Sequence, residues 1–191
     1  GFRAPNIFDL GVFGDRPSNR FAVPNTDLKP ETVVTWDVGL KWDQPGLQAE
    51  VFVWKSNYKD KITSVETGEI TPSGRIVVTN RNVTDLDLWG IEAGARWYLG
   101  EKSQAYGVIN FTRGEETYAS DSYDADRVPP INGRLGFLHY LNDTVSIDAW
   151  ALYATRQDRL SPRDLTDPRV NPDGTAGWAT ANVRVNWAFV P

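Results

Sequence analysis

Residues 121–126, "DSYDAD", place the carboxylates of Asp121, Asp124 and Asp126 close together, and clustered oxygen ligands of this kind suit calcium. The spacing is not that of an EF-hand loop and no glycine sits at the turn, so the stretch reads as a solvated acidic loop, and no metal is assigned. Glu115 and Glu116 would form an acid/base pair only if they shared a site, and neighbouring strand residues point to opposite sides. His139, the single histidine, lies in "GFLHYL" and reads as structural or interfacial. Nucleophile–histidine catalysis would need it, yet no G-x-S-x-G elbow occurs. Cysteine is absent, which removes disulfides and Cys/His zinc sites. No catalytic residue and no cofactor is assigned, and an enzyme is not expected.

The basic residues point elsewhere. Arg156, Arg159, Arg163 and Arg169 form what looks like an anion-binding loop, but Asp158, Asp164, Asp167 and Asp173 balance them. Internal ion pairing is expected to order this loop. Binding residues concentrate on loops held by a rigid scaffold. The candidate ligand contacts are therefore Arg16, Arg20, Arg75, Tyr118, Tyr123, Arg156, Arg159 and Arg163. Residues 113–127 carry a local excess of acid. With a net charge of −5 and no basic stripe, nucleic acid is not an expected partner.

These residues must be positioned by strands. The chain has 191 residues, 40% hydrophobic and 24% charged, a balance typical of an ordered chain. Mean hydropathy is −0.43, and no run approaches the ~18 apolar residues of a spanning helix. A membrane β-barrel stays open, because alternation averages its hydropathy away. Period-two segments recur. In residues 32–42 one parity carries Val34, Trp36, Val38, Leu40 and Trp42, the other Asp37 and Lys41. Residues 47–56 alternate too, although Phe52 and Trp54 fall on the polar parity. In 85–99, Trp89, Ile91 and Trp97 oppose Glu92 and Arg96. Further strands are expected at 104–113, 131–141, 144–154 and 178–189, where Val183, Val185 and Trp187 oppose Asn182 and Arg184.

Short turns at "DQPG", "GEKS" and "LND" alternate with long polar stretches at 10–31, 57–80, 114–130 and 155–177. An up-and-down antiparallel meander sorts its connections in this way, as do transmembrane barrels. Trp89 and Trp97 are eight residues apart, roughly 26 Å along a strand at about 3.3 Å per residue. A tilt of about 40° reduces this to roughly 20 Å, near the ~25 Å apolar band of such barrels. The expected fold is an all-β, antiparallel up-and-down meander forming part of a transmembrane β-barrel. Trp36, Trp42, Trp89, Trp97 and Trp187 would then be lipid-facing girdle residues, and Asp37, Lys41, Glu92, Arg96, Asn182 and Arg184 would face the lumen. A soluble β-sandwich that exposes these charges to solvent is the competing reading.

Several stretches resemble the C-terminal barrel of TonB-dependent outer-membrane receptors. "GFRAPNIFDL" looks like the family's G-F-R-x-P segment, and "NTDLKPETVVTWDVGLKW" is similar to its N-x-x-L-x-P-E box through Asn25, Leu28, Lys29, Pro30, Glu31, Gly39 and Lys41. "VWKSNYKDKI" matches through Tyr58, Asp60 and Ile62, and "TNRNVTDLDLWGIEAG" through Asn80 or Asn82, Gly90 and Glu92. "VPPINGRLGFLHY" and the run from Arg156 to Trp187 continue the pattern, with Ala176 where the family usually has proline. The resemblance implies about eight strands of a 22-strand barrel, within a parent that also has a plug domain. It further implies outer-membrane lipid, that plug, the TonB complex and a small-molecule ligand as partners. The implied function is energy-coupled uptake of a siderophore–metal complex or similar scarce nutrient across a Gram-negative-type outer membrane. A passive porin is the alternative.

Overall fold

The computed structural model describes residues 1–118 and 121–189. Strand β1 (Phe2–Arg3) is followed by helix α1 (Ile7–Gly11), then β2 (Gly14–Arg16), β3 (Arg20–Val23), β4 (Glu31–Gln44), β5 (Leu47–Ile70), β6 (Ile76–Tyr98) and β7 (Ser103–Tyr118). Next come β8 (Asp121–Asp124), β9 (Asn132–Tyr140), β10 (Val145–Ala154), α2 (Pro162–Thr166) and β11 (Trp178–Trp187). The sheet path runs β1-β4-β5-β6-β7-β9-β10-β11, with β3 paired to β2 and β6, and β8 paired to β7. Eight strands thus lie on the path, the number the resemblance implies, and the path has two ends. The meander is antiparallel wherever its register is defined; β3 runs parallel to β6.

The expected short turns are present. β4 and β5 are joined through Pro45 and Gly46, with Gly46 at φ 93°. Proline followed by a residue at positive φ is what a type II turn demands. Three of the long polar stretches differ from expectation, 10–31 in that it contains β2 and β3. Most of 57–80 is strand, because β5 and β6 extend to a tight turn at residues 71–75, where the Gly74 N–H donates to the Thr71 carbonyl at 2.9 Å. Likewise 114–130 opens with the end of β7 and β8. Val77, Val78 and Thr79 are buried in succession, on both parities, so this part of β6 lacks apolar–polar alternation and periodicity misses it. The β-branched run Ile76, Val77, Val78, Thr79 carries the propensity instead.

Residue contacts divide the chain into two compact units. The first comprises Gly1–Thr35, Ser56–Asp87 and Glu115–Tyr123, and its best-buried residues are Ala22, Ser56, Val65, Val77, Val78, Thr79 and Thr84. The second comprises Trp36–Lys55, Leu88–Gly114 and Asp124–Pro191. No large side chain among the described residues is fully buried. In the second unit large apolar side chains point outward instead, Trp36 and Leu40 at 72% exposure and Val183 at 69%.

Candidate functional site

In the first unit the residues that carry the family resemblance turn out to be one another's partners. Arg3 grips Glu31 with two nitrogens, Nε to Oε2 at 2.8 Å and Nη2 to Oε1 at 2.9 Å, and donates from Nη1 to Asp9 at 2.6 Å. Glu31 Oε1 also accepts the Ile62 N–H at 2.7 Å. The Arg3 guanidinium, reinforced by the Ile62 amide, holds the Glu31 carboxyl below the usual carboxylate range, outweighing the opposite effect of burial. Asn25 donates to the Asn80 carbonyl, Asn80 to that of Asp9, and Asn82 to those of Lys29 and Asp60. Each side-chain amide thus ties its own segment to a backbone carbonyl of another. Asn6 caps α1 in a reciprocal box with Asp9. These motif residues position chain segments, a role that spacing in the sequence does not convey.

The second unit carries the charged face. Lys41 pairs with Glu50 at 3.4 Å and lies over the Phe52 ring. Arg96 donates to Gln104 at 2.7 Å and stacks on Tyr106. Arg134 sits between Tyr106 and Trp150, at 5.0 and 4.6 Å from their ring centres. Arg184 covers Trp150 at 5.3 Å. Register explains the row, since Tyr106 and Trp150 both face Gly136, while Arg184 faces Asp148 and Asn182 faces Trp150. Tyr106 donates to Asp148 and accepts from Arg134, each at 2.7 Å. Cations thus alternate with aromatic rings across β6, β7, β9, β10 and β11, an arrangement favoured by the ring quadrupole.

This face also accounts for Phe52 and Trp54, the aromatics on the polar parity. A side chain added at Gly39 would collide with Phe52, at Gly90 with Trp54, and at Gly136 with Tyr106. Each ring lies over a neighbouring strand's glycine, so an aromatic residue and a missing side chain together fill one place on the face. Asp37 and Glu92 share the parity of Lys41 and Arg96, respectively.

The predicted ligand-contact residues are spread over both units. In the first, Arg75 pairs with Asp15 at 3.1 Å, and Arg16 and Arg20 face each other across β2 and β3. Tyr118 is exposed there, as is Tyr123. In the second, Arg156 donates to the Asp173 carbonyl, and Arg159 to the carbonyls of Thr112 and Pro129 at 3.1 and 3.3 Å. Arg163 donates to Asp126 at 2.9 Å. Within the loop, Arg169 and Asp167 pair at 2.7 Å, so some arginines tie the loop to its surroundings instead of to itself. Asp124 pairs with Arg113, Glu116 with Lys61 and Glu115 with Ser122. His139 Nδ1 lies 2.8 Å from Ser103 Oγ. A cavity of about 690 Å³ is lined by residues 127–130, Arg134, Leu152 and Trp178 among others. Sequence reasoning did not single it out, because its wall is assembled from four separated segments.

The all-β antiparallel sheet matches the barrel portion of solved receptor and transporter structures. The chain belongs to the TonB dependent receptor-like β-barrel family, whose model matches residues 1–190. Solved structures share the fold. The chain is similar to the copper transporter OprC, with a TM-score of 0.73 and 20% identity over 99% of this chain and 28% of that one. It is similar to the FrpB iron transporter from Neisseria meningitidis, with a TM-score of 0.66 and 14% identity over 88% of this chain and 26% of that one. A mutant of the ferric enterobactin receptor PfeA from Pseudomonas aeruginosa, in complex with enterobactin, gives a TM-score of 0.71 and 17% identity over 99% and 30%. The chain therefore spans less than a third of the length of these structures. No curated protein sequence matches it.

Proposed function

We propose that the chain is part of the barrel wall of an outer-membrane receptor in a Gram-negative-type bacterium. This receptor takes up a siderophore–metal complex or a similar scarce nutrient, driven by TonB through a plug domain. The apolar parity, bounded by Trp36, Trp42, Trp89, Trp97 and Trp187, meets lipid. The parity of Asp37, Lys41, Glu92, Arg96, Asn182 and Arg184 faces the lumen, and the long segments form the outer mouth. The observation that carries this reading is the pairing of the family match with outward Trp36, Leu40 and Val183. Apolar surface on this scale on a soluble monomer would be an aggregation liability. Structural likeness to a copper transporter, an iron transporter and a ferric enterobactin receptor favours a metal complex as cargo. Transport by such a protein rests on differential binding between conformations, not on bond chemistry.

The test is uptake of radiolabelled iron and copper complexes by cells carrying the full-length protein, with TonB present or deleted. Uptake that requires both the protein and TonB supports the proposal. Uptake that persists without TonB identifies a passive porin, and no uptake of any metal complex overturns the cargo class.

A further inference from the structure

The cavity of the second unit has a wall of two chemistries. Val108, Pro129, Leu152 and Trp178 make it apolar, while Asn110 and Arg134 bring hydrogen-bond donors. Among the described residues no carboxylate lines it, and Arg127 adds a second guanidinium, although the chain as a whole has 25 acidic residues against 20 basic ones. We propose that this cavity is a subsite for a flat apolar ring bearing an anionic oxygen group, such as an aromatic carboxylate.

Size, shape and charge each support this occupant. A volume of about 690 Å³ falls within the ~300–1,000 Å³ of small-molecule sites. Trp178 is 52% exposed, and a flat ring is what an indole in the wall can stack on. Arg134 approaches the Asp148 carboxylate only to 3.6 Å, and Arg127 reaches Asp126 and Asp167 at 3.6 and 3.5 Å. Charge-assisted hydrogen bonds are shorter, about 2.7–2.9 Å; Arg134 Nη2 donates at 2.7 Å only to the neutral Tyr106 hydroxyl, so neither guanidinium has a close anionic partner and an incoming anion would supply one. Arg127 holds φ 56°, a left-handed conformation uncommon outside glycine. That conformation persists because the neighbouring chain is pinned, with Gln157 donating to the Val128 carbonyl and Arg159 to that of Pro129. A cationic ring would meet donors and no acceptor carboxylate.

The subsite deepens the receptor reading and rests on it for its biological meaning, but binding itself needs no energy coupling. The full-length protein in phosphatidylcholine nanodiscs is titrated with 2-naphthoate and with 2-(aminomethyl)naphthalene, followed by calorimetry. Naphthoate is expected to bind saturably and about tenfold more tightly than the amine, in line with the worth of one charge-assisted hydrogen bond. Arg134→Gln should remove that preference. Trp178→Ala and the cavity-filling Ala176→Leu, both at exposed positions, should weaken naphthoate by a similar factor. Equal binding of acid and amine overturns the proposal, as does naphthoate binding untouched by Trp178→Ala and Ala176→Leu. Lost binding with intact TonB-dependent uptake sinks the subsite alone, and intact binding with no uptake sinks the transport reading alone.

Discussion

Placing an arginine at Val183 or at Asn182 tests which face of β11 meets hydrocarbon. The two positions are adjacent on one strand and paired to neighbouring residues of β10, Ala149 and Trp150. Val183 is exposed and Asn182 half-buried, its amide donating to Thr180 at 3.2 Å, so neither substitution meets a packed core. Val183 is four residues from Trp187, roughly 13 Å along the strand at about 3.3 Å per residue. With a tilt of about 40°, that places it roughly 10 Å inside the tryptophan boundary, close to the middle of a ~25 Å apolar band. Arginine there should cost about 2–4 kcal/mol. At Asn182 the new guanidinium would join Arg184 over the Trp150 ring, and the change should stay within about 0.5 kcal/mol, as for ordinary surface substitutions. The assay is reversible guanidinium unfolding of the full-length protein in phosphatidylcholine vesicles, followed by tryptophan fluorescence. Equal destabilisation by Val183→Arg and Asn182→Arg would refute the assignment of faces, and greater destabilisation at Asn182 would invert it.

Gly136→Val should displace the Tyr106 ring, breaking its hydrogen bonds with Asp148 and Arg134; a loss of about 2–3 kcal/mol in the same unfolding assay is expected. Because the Glu31 carboxyl is held below its ordinary value, its stabilising contribution is present above the unfolded carboxylate value of about 4.3 and is lost as pH falls through the folded value. Hydrogen exchange at the Ile62 amide should report that acid step, and Glu31→Gln should abolish it. Arg159→Ala frees the carbonyls of Thr112 and Pro129, so cleavage of the 155–177 segment by proteinase K should rise several-fold without a change in global unfolding. An unchanged cleavage rate would show that Arg159 does not hold the loop.

Much of the wall was legible in the one-dimensional pattern. The alternations at 32–42, 85–99 and 178–189 announce strands because side-chain direction has a period of two in any extended chain, whatever surrounds it. The turn at Pro45–Gly46 is equally local, since proline and glycine restrict or permit backbone angles by their own covalent structure. What sequence pattern leaves undecided is everything that depends on a neighbour brought from elsewhere. Phe52 and Trp54 broke the alternation of β5, and only the strands beside them show that each ring occupies the place of a glycine side chain. The reach of β5 and β6 through residues 57–80 was hidden, because pairing, not periodicity, makes them strands. Arg159 reads in sequence as a binding candidate and Glu31 as part of a family motif, yet their partners lie 28 or more residues away. Hydrogen bonds and ion pairs act over a few ångströms of space, so a residue's type and spacing set what chemistry it can offer, and the tertiary structure sets to whom.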